Sequence, residues 1–160
     1  MKDIHKLYNK HAEDIYRFSL FLCNNSTDAE DITAETFVTA LTAKTELRSA
    51  TVKGYLLTIA RNLYFESLRR KKRRGELPLK LQDPGPGPER TASQKIELEA
   101  VQNWLQTVPE TDRAALLLRA EGVGYNEIAE TLNISLSAAK VKVHRMRMKL
   151  VKWRADRGKN

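Results

Sequence analysis

Apolar residues return along this chain at the spacing of a helix, and almost nowhere at the alternate-residue spacing of a strand. Ile4, Leu7, His11, Ile15, Phe18 and Leu22 step by three or four, which puts them on one helical face. Thr27 and Glu30 have the spacing of a capping box, in which the hydroxyl accepts from first-turn amides and the carboxylate reaches back. The helix they predict carries Ile32, Phe37, Ala40 and Leu41. A third predicted helix carries Val52, Leu56, Ile59, Ala60 and Leu63 and runs on into the basic stretch 69–74. Three helices in the first 74 residues make a small bundle.

The pattern breaks once, at residues 75–89 (GELPLKLQDPGPGPE), which hold four of the five prolines and three of the seven glycines. Proline removes an amide donor and disfavours helix in the residue before it, so this stretch reads as an extended, solvated linker. Beyond it, Ile96, Val101, Leu105 and Val108 predict another helix. Pro109 suits a helix start, where its missing amide costs nothing. Residues 110–121 read as a short helix ended near Gly122 and Gly124, and 125–132 as the next. Asn133 suits a left-handed turn. Residues 136–154 form the last helix, with Ala139, Val143, Met146 and Leu150 inward. The expected fold is all-α: a helical domain over 1–74, a Pro/Gly-rich flexible linker over 75–93, and a second helical domain over 94–160.

Charge sharpens this outline. Residues 48–74 carry nine Lys/Arg against one Glu, and residues 136–160 carry nine against one Asp, so each block is +8. The rest of the 160 residues sums to −8, which leaves the chain at +8. Two cationic surfaces on mildly acidic scaffolds imply a polyanion held at two places. A lone cysteine, Cys23, allows no intrachain disulfide and no multi-cysteine zinc site, fits a reducing cytosol, and reads as a small buried hydrophobe. The apolar run 18–23 is too short for a signal peptide, and no apolar stretch approaches the ~20 residues that span a bilayer. The expected location is cytoplasmic, with no membrane insertion.

Three clusters carry candidate chemistry. Residues 125–147 read as helix, tight turn, helix, with Ala129 small at the crossing and Ile128, Leu132, Ile134, Ala139 and Val143 apolar. The second helix turns Ser137, Lys140, Val141, His144, Arg145 and Met148 away from its apolar stripe, as a major-groove recognition helix would. The plainer alternative is a solvated basic helix. Val141 and Met148 stand apolar on a face that should be wet, suiting a thymine methyl or a protein partner. In the second cluster, Tyr55, Arg61, Asn62, Tyr64 and Phe65 lie beside 69–74; rings that stack on bases, cations for phosphates and an amide for a base edge suit single-stranded DNA. The alternative is that Tyr64 and Phe65 are core. The third cluster, Asp28, Glu30, Asp31 and Glu35, suits the positive end of a helix dipole or a protein-binding face better than a metal, since no histidine accompanies it. His5, His11 and His144 form no metal pair, and no phosphate loop, nucleophile elbow or dinucleotide fingerprint is present. No enzyme activity, cofactor or metal is expected.

The stretches DAEDITAETFVTAL (28–41), YLLTIARNLYFESLRRKKRR (55–74) and VPETDRAALLLRAEGVGYNEIAETLNISLSAAKVKVHRMRMKL (108–150) together resemble a bacterial RNA polymerase sigma factor of the extracytoplasmic-function type. The resemblance implies the family's minimal layout, its second and fourth conserved domains joined by a linker that threads toward the RNA exit path. It implies docking of Asp28, Asp31, Glu35, Phe37 and Leu41 on the β′ coiled coil of core polymerase, with further contact to the β flap. It implies recognition and melting of the promoter −10 element by Tyr55, Arg61, Asn62, Tyr64, Arg69, Arg70 and Lys71, with Asn62 holding a flipped-out base. It implies reading of the −35 element by Ser137, Lys140, Val141, Lys142, His144, Arg145 and Arg147, and an anti-sigma factor that covers the polymerase-binding faces. The sequence departs from the family at Ala138–Ala139, where Thr–Val is commoner, at Val141, where a small polar residue is frequent, and at Tyr55, often Trp. Rival readings are a conventional helix-turn-helix regulator that acts without polymerase, a metal-dependent nuclease on Asp28, Asp31 and Glu35, and a nucleic-acid-binding adaptor.

Overall fold

Seven helices appear in the computed structural model, which describes residues 4–43, 51–75 and 91–158. They are α1 (Ile4–Cys23), α2 (Ser26–Thr42), α3 (Val52–Arg73), α4 (Ala92–Gln106), α5 (Glu110–Ala120), α6 (Tyr125–Leu132) and α7 (Leu136–Gly158). No strand occurs among the described residues, so the all-α expectation holds. The Pro/Gly-rich stretch 76–90 lies outside them. The helices gather into two compact units, residues 1–107 and 108–160.

In the first unit α1, α2 and α3 pack pairwise on one another. Their shared core is Ile15, Phe18 and Leu22 from α1, Ala29, Ile32, Phe37 and Ala40 from α2, and Leu56, Leu57, Ala60 and Tyr64 from α3. Each large side chain so buried contributes about 1.5–3 kcal/mol. His11, on the apolar face of α1, is also buried. Thr33 and Thr36 are buried polar residues in α2, and their hydroxyls donate to the carbonyls of Ala29 and Ile32, one turn back.

The expected capping box at Thr27 and Glu30 is not what starts α2. Asn24 adopts a left-handed conformation with φ +55° that closes α1. The Asn25 side chain then accepts from the Asp28 amide at 2.9 Å, so the helix begins at Ser26. A capping box forms instead at Thr91 and Gln94, where both reciprocal bonds are made and set the start of α4 at Ala92. That start falls inside the stretch expected to be linker. The same helix, expected in the C-terminal domain, groups with the first unit, where Gln106 Nε2 donates to the Phe21 carbonyl at 3.5 Å.

In the second unit α5, α6 and α7 enclose Leu116, Leu118, Val123, Ile128, Leu132, Ala139, Val143 and Met146. Pro109 precedes the first helical residue of α5 instead of occupying it. Gly122, at φ +90°, ends that helix: its amide donates to the Arg119 carbonyl and that of Val123 to Leu118. Asn133, at φ 55° and ψ 48°, does the same for α6, with Ile134 donating to Ala129 at 2.9 Å. Both stops match the turn chemistry read from the sequence. Ser135 then caps α7, its hydroxyl accepting from the Ala138 amide at 3.0 Å.

Candidate nucleic-acid interface

On α3, residues 55, 62 and 69 recur every two turns and share the face opposite Leu57, Ala60 and Tyr64. Tyr55 is half-buried there, and Asn62 and Arg69 are exposed. Arg61 lies beside them, its guanidinium 4.0 Å from the centre of the Phe65 ring and its NH1 donating to Asn62 Oδ1 at 3.0 Å. Burial holds the Arg61 pKa below its ordinary value, and Arg69 adds to the effect. The pair fixes the Asn62 side chain so that its amide nitrogen, a donor for a base edge, points away from the guanidinium. Arg70 is exposed. Two residues of the expected group are placed elsewhere. Tyr64 is 9% exposed and stacks edge-on against Phe65, so it is core. Lys71 faces α2, where its Nζ lies 2.8 Å from Asp28 Oδ2.

The acidic helix shows the same sorting. Asp31, Glu35 and Val38 form an outward stripe on α2, with Leu41 at its edge. Val38 and Leu41 are about half exposed. Phe37, expected on the docking surface, is 4% exposed and packs its ring 5.0 Å from that of Tyr8. The apolar outward residue is its neighbour Val38, which reading the sequence missed although it sits at i+3 from Glu35. Asp28 is engaged by Lys71. Among the described residues no group of three or more His, Cys, Asp or Glu side chains gathers as for a metal ion. A groove of 340 Å³ between α1 and α2 is lined by Tyr8, Ala12, Glu13, Tyr16, Glu30, Thr33 and Ala34.

In the second unit α7 buries Ala139, Val143 and Met146 and exposes Ser137, Lys140, Val141, His144, Arg145 and Arg147. Lys142 is the exception. It lies at the margin of the buried stripe, and its Nζ donates to Asp112 Oδ1 in the first turn of α5. Asp112 was not singled out by sequence, because the pairing spans 30 residues and the whole of α6. Arg145 and Lys149 line a 280 Å³ cleft beside this pair. Arg113 is buried, its guanidinium donating to the Val108 carbonyl. Arg119 stacks 4.4 Å from the Tyr125 ring centre and donates to the Val123 carbonyl, which stiffens the turn that launches α6.

This geometry supplies two outward cationic stripes, each on one helix and each backed by its own core. No described helix is long and apolar enough to cross a membrane. Residues 7–74 match the family described as Sigma-70 region 2, and residues 98–150 match Sigma-70, region 4. The chain is 33% identical to the ECF RNA polymerase sigma factor SigE of Mycolicibacterium smegmatis across 91% of its own length, and spans 59% of that relative. It is 30% identical to the ECF RNA polymerase sigma factor EcfG of Rhodopseudomonas palustris, over 83% of this chain and 75% of that one. Among solved structures, the sigma factor RpoE of Bartonella quintana, in complex with the anti-sigma factor NepR, superposes with a TM-score of 0.76 at 21% identity, covering 95% of this chain and 96% of that one. Sequence and architecture thus agree that the chain belongs to the extracytoplasmic-function sigma factors of RNA polymerase, group 4 of the sigma-70 family.

Proposed function

We propose that the chain binds core RNA polymerase and directs it to promoters read at two elements, the −10 by α3 and the −35 by α7. In functional terms the division is 1–74 for polymerase binding and −10 melting, 75–93 for the connecting segment, and 94–160 for −35 reading. The observation that carries the proposal is the pair of outward stripes: Tyr55, Asn62 and Arg69 on α3, and Ser137, Lys140, His144 and Arg145 on α7. A stripe of ring, amide and cation suits an unstacked base and its phosphate. A cationic helix that follows a tight turn suits the major groove. Asp31, Glu35, Val38 and Leu41 form the α2 face offered to the β′ coiled coil, and the β flap is met by the second unit. An anti-sigma factor in the cytoplasm holds the chain inactive by covering these faces.

Each module neutralises few phosphates, so the free chain binds DNA weakly and in a salt-sensitive way. Joining the two contacts on one chain raises the effective concentration of the second once polymerase sets their spacing. Opening base pairs costs a few kcal/mol per flipped base, and capture of the base by α3 offsets it. Run-off transcription with purified core polymerase tests the reading: the chain converts inert core enzyme into one that starts at a defined site, and Asn62→Ala abolishes opening while leaving binding to the core intact. A free chain with a tight, sequence-specific footprint that polymerase leaves unchanged would falsify it. That result would favour a conventional helix-turn-helix regulator, which explains α5–α7 but gives the α3 stripe no task.

A further inference from the structure

We infer that Val141 is a specificity-determining residue of the recognition helix and reads the 5-methyl group of a thymine in the −35 element. The inference rests on the reading of α7 as the −35 reader. On α7, residues 137, 141, 144 and 148 follow one another at i, i+4, i+7 and i+11, the face opposite buried Ala139, Val143 and Met146. Val141 stands at the centre of the N-terminal half of that face, the part of a recognition helix that reaches base edges, and is 46% exposed. The cation next to it is engaged within the protein: Lys142 lies at the margin of the buried stripe and gives its ammonium to Asp112, in the cleft whose rim Val141 shares. What remains at the centre is a branched apolar side chain with no donor or acceptor. In the major groove only thymine presents an apolar group, its 5-methyl, whereas the other base edges present donors and acceptors that a valine would leave unsatisfied. Lys140 and Arg145, exposed on either side, supply phosphate contacts that set the depth of the helix.

The test uses the chain with core polymerase and a promoter selected by that holoenzyme from DNA randomised across the −35 element. One selected position is thymine. Replacing it by deoxyuridine, which pairs identically and lacks only the methyl, lowers open-complex formation about fourfold, the transfer value of one methyl group. Val141→Ala shrinks the difference between the two templates to near unity, and Val141→Ser does the same. Val141 is exposed, so neither change endangers the fold. Equal activity of wild type on both templates, or full methyl discrimination by the alanine variant, overturns the inference. So does a Val141→Ala variant that keeps wild-type base preference but loses affinity for core polymerase, because the residue then serves a protein contact. Lys140→Ala and Arg145→Ala separate this failure from failure of the underlying reading. If they weaken −35-dependent transcription while the methyl has no effect, α7 reads DNA without Val141. If they too have no effect, α7 is not the reader.

Discussion

Phe37 and Leu41 lie four residues apart on one helix and were expected to do the same work, yet the structure separates them. Phe37 is 4% exposed in the α1–α2–α3 core, and Leu41 is 53% exposed. Truncating a buried phenylalanine to alanine costs about 3–5 kcal/mol. The low end applies here, because Tyr8, the ring partner at 5.0 Å, is itself 47% exposed and free to settle into the space left. At about 4–8 °C per kcal/mol for a unit of this size, about 3 kcal/mol lowers the melting temperature of the first unit in Phe37→Ala by roughly 12–24 °C. Leu41→Ala removes methyl groups already half in water and costs about 1 kcal/mol or less. Calorimetry on the full chain reads the first quantity, and affinity for core polymerase, measured well below both transitions, reads the second. Phe37→Ala binds core polymerase as wild type does while it is folded, and Leu41→Ala binds more weakly. A Phe37→Ala protein that melts like wild type but has lost polymerase affinity would refute the reasoning, for the ring would then act at the surface.

Other expectations are narrower. Asn133 sits at φ 55°, and left-handed backbone costs a residue with a Cβ about 1–2 kcal/mol, so Asn133→Ala destabilises the second unit by about 1 kcal/mol and Asn133→Gly by much less; urea titration distinguishes them. Burial lowers the His11 pKa below 6.5, with Lys10 and Lys53 adding to it against the opposing pull of Asp14. The unfolded chain therefore binds the proton first, so stability is full above about pH 6.5 and is lost as pH falls from there through the folded pKa. His11→Leu removes that slope from melting temperatures recorded between pH 5 and 7.5. Asp14 is also lowered: burial raises it, but the bond from Arg17 and the charge of Lys53 outweigh burial. Its loss of stability begins only below pH 3.8, outside that window. The Cys23 thiol is pushed up to about 11 by burial, and its Sγ donates to the Asn25 carbonyl. It therefore reacts slowly with a thiol reagent at pH 8 in the folded chain and fast in denaturant; equal rates would show the thiol to be accessible.

Local chemistry was legible in the sequence, and cross-helix chemistry was not. The stops at Gly122 and Asn133 depend on residues within one turn, and a few side chains announce them. The start of α2 does not, because Thr27 and Glu30 offered a valid box. The left-handed Asn24 decided instead, by bringing Asn25 to the Asp28 amide. The face of α2 was misjudged through its threonines. Thr33 and Thr36 count as polar in any periodicity, yet each satisfies its hydroxyl on its own helix and packs inward. That completes a buried face of Ala29, Thr33, Thr36, Phe37 and Ala40 and puts Val38, in place of Phe37, beside Asp31 and Glu35 on the outward stripe. Tyr64 was lost from the DNA face for a similar reason: aromatics interleaved with cations carry no mark of which ring turns inward.

The two basic helices share a device that charge counting hides. Asp28 stands in the first turn of α2 and engages Lys71 of α3; Asp112 stands in the first turn of α5 and engages Lys142 of α7. An acid in a first turn is favoured by the helix dipole, and each aspartate stands where a lysine of the neighbouring basic helix reaches it. Such partly exposed pairs stabilise the fold by about 0–1 kcal/mol. Their larger effect is on DNA, since a lysine engaged within the protein does not displace a counterion from a phosphate. Each +8 block therefore presents fewer cations than its sequence suggests, and in the first Lys53 is also engaged, by Asp14 of α1 at 3.5 Å. Asp28→Asn and Asp112→Asn each release a lysine, and the slope of log affinity against log salt for the free chain on non-specific duplex steepens by up to about 0.9 per lysine freed. The two pairs lie in different units and share no partner, so the double variant sums the two changes. Asp31→Asn adds the same net charge without touching either lysine and is the control. A slope no steeper in Asp28→Asn than in Asp31→Asn would mean that Lys71 already leaves Asp28 for phosphate at no cost, and that the pair restrains nothing.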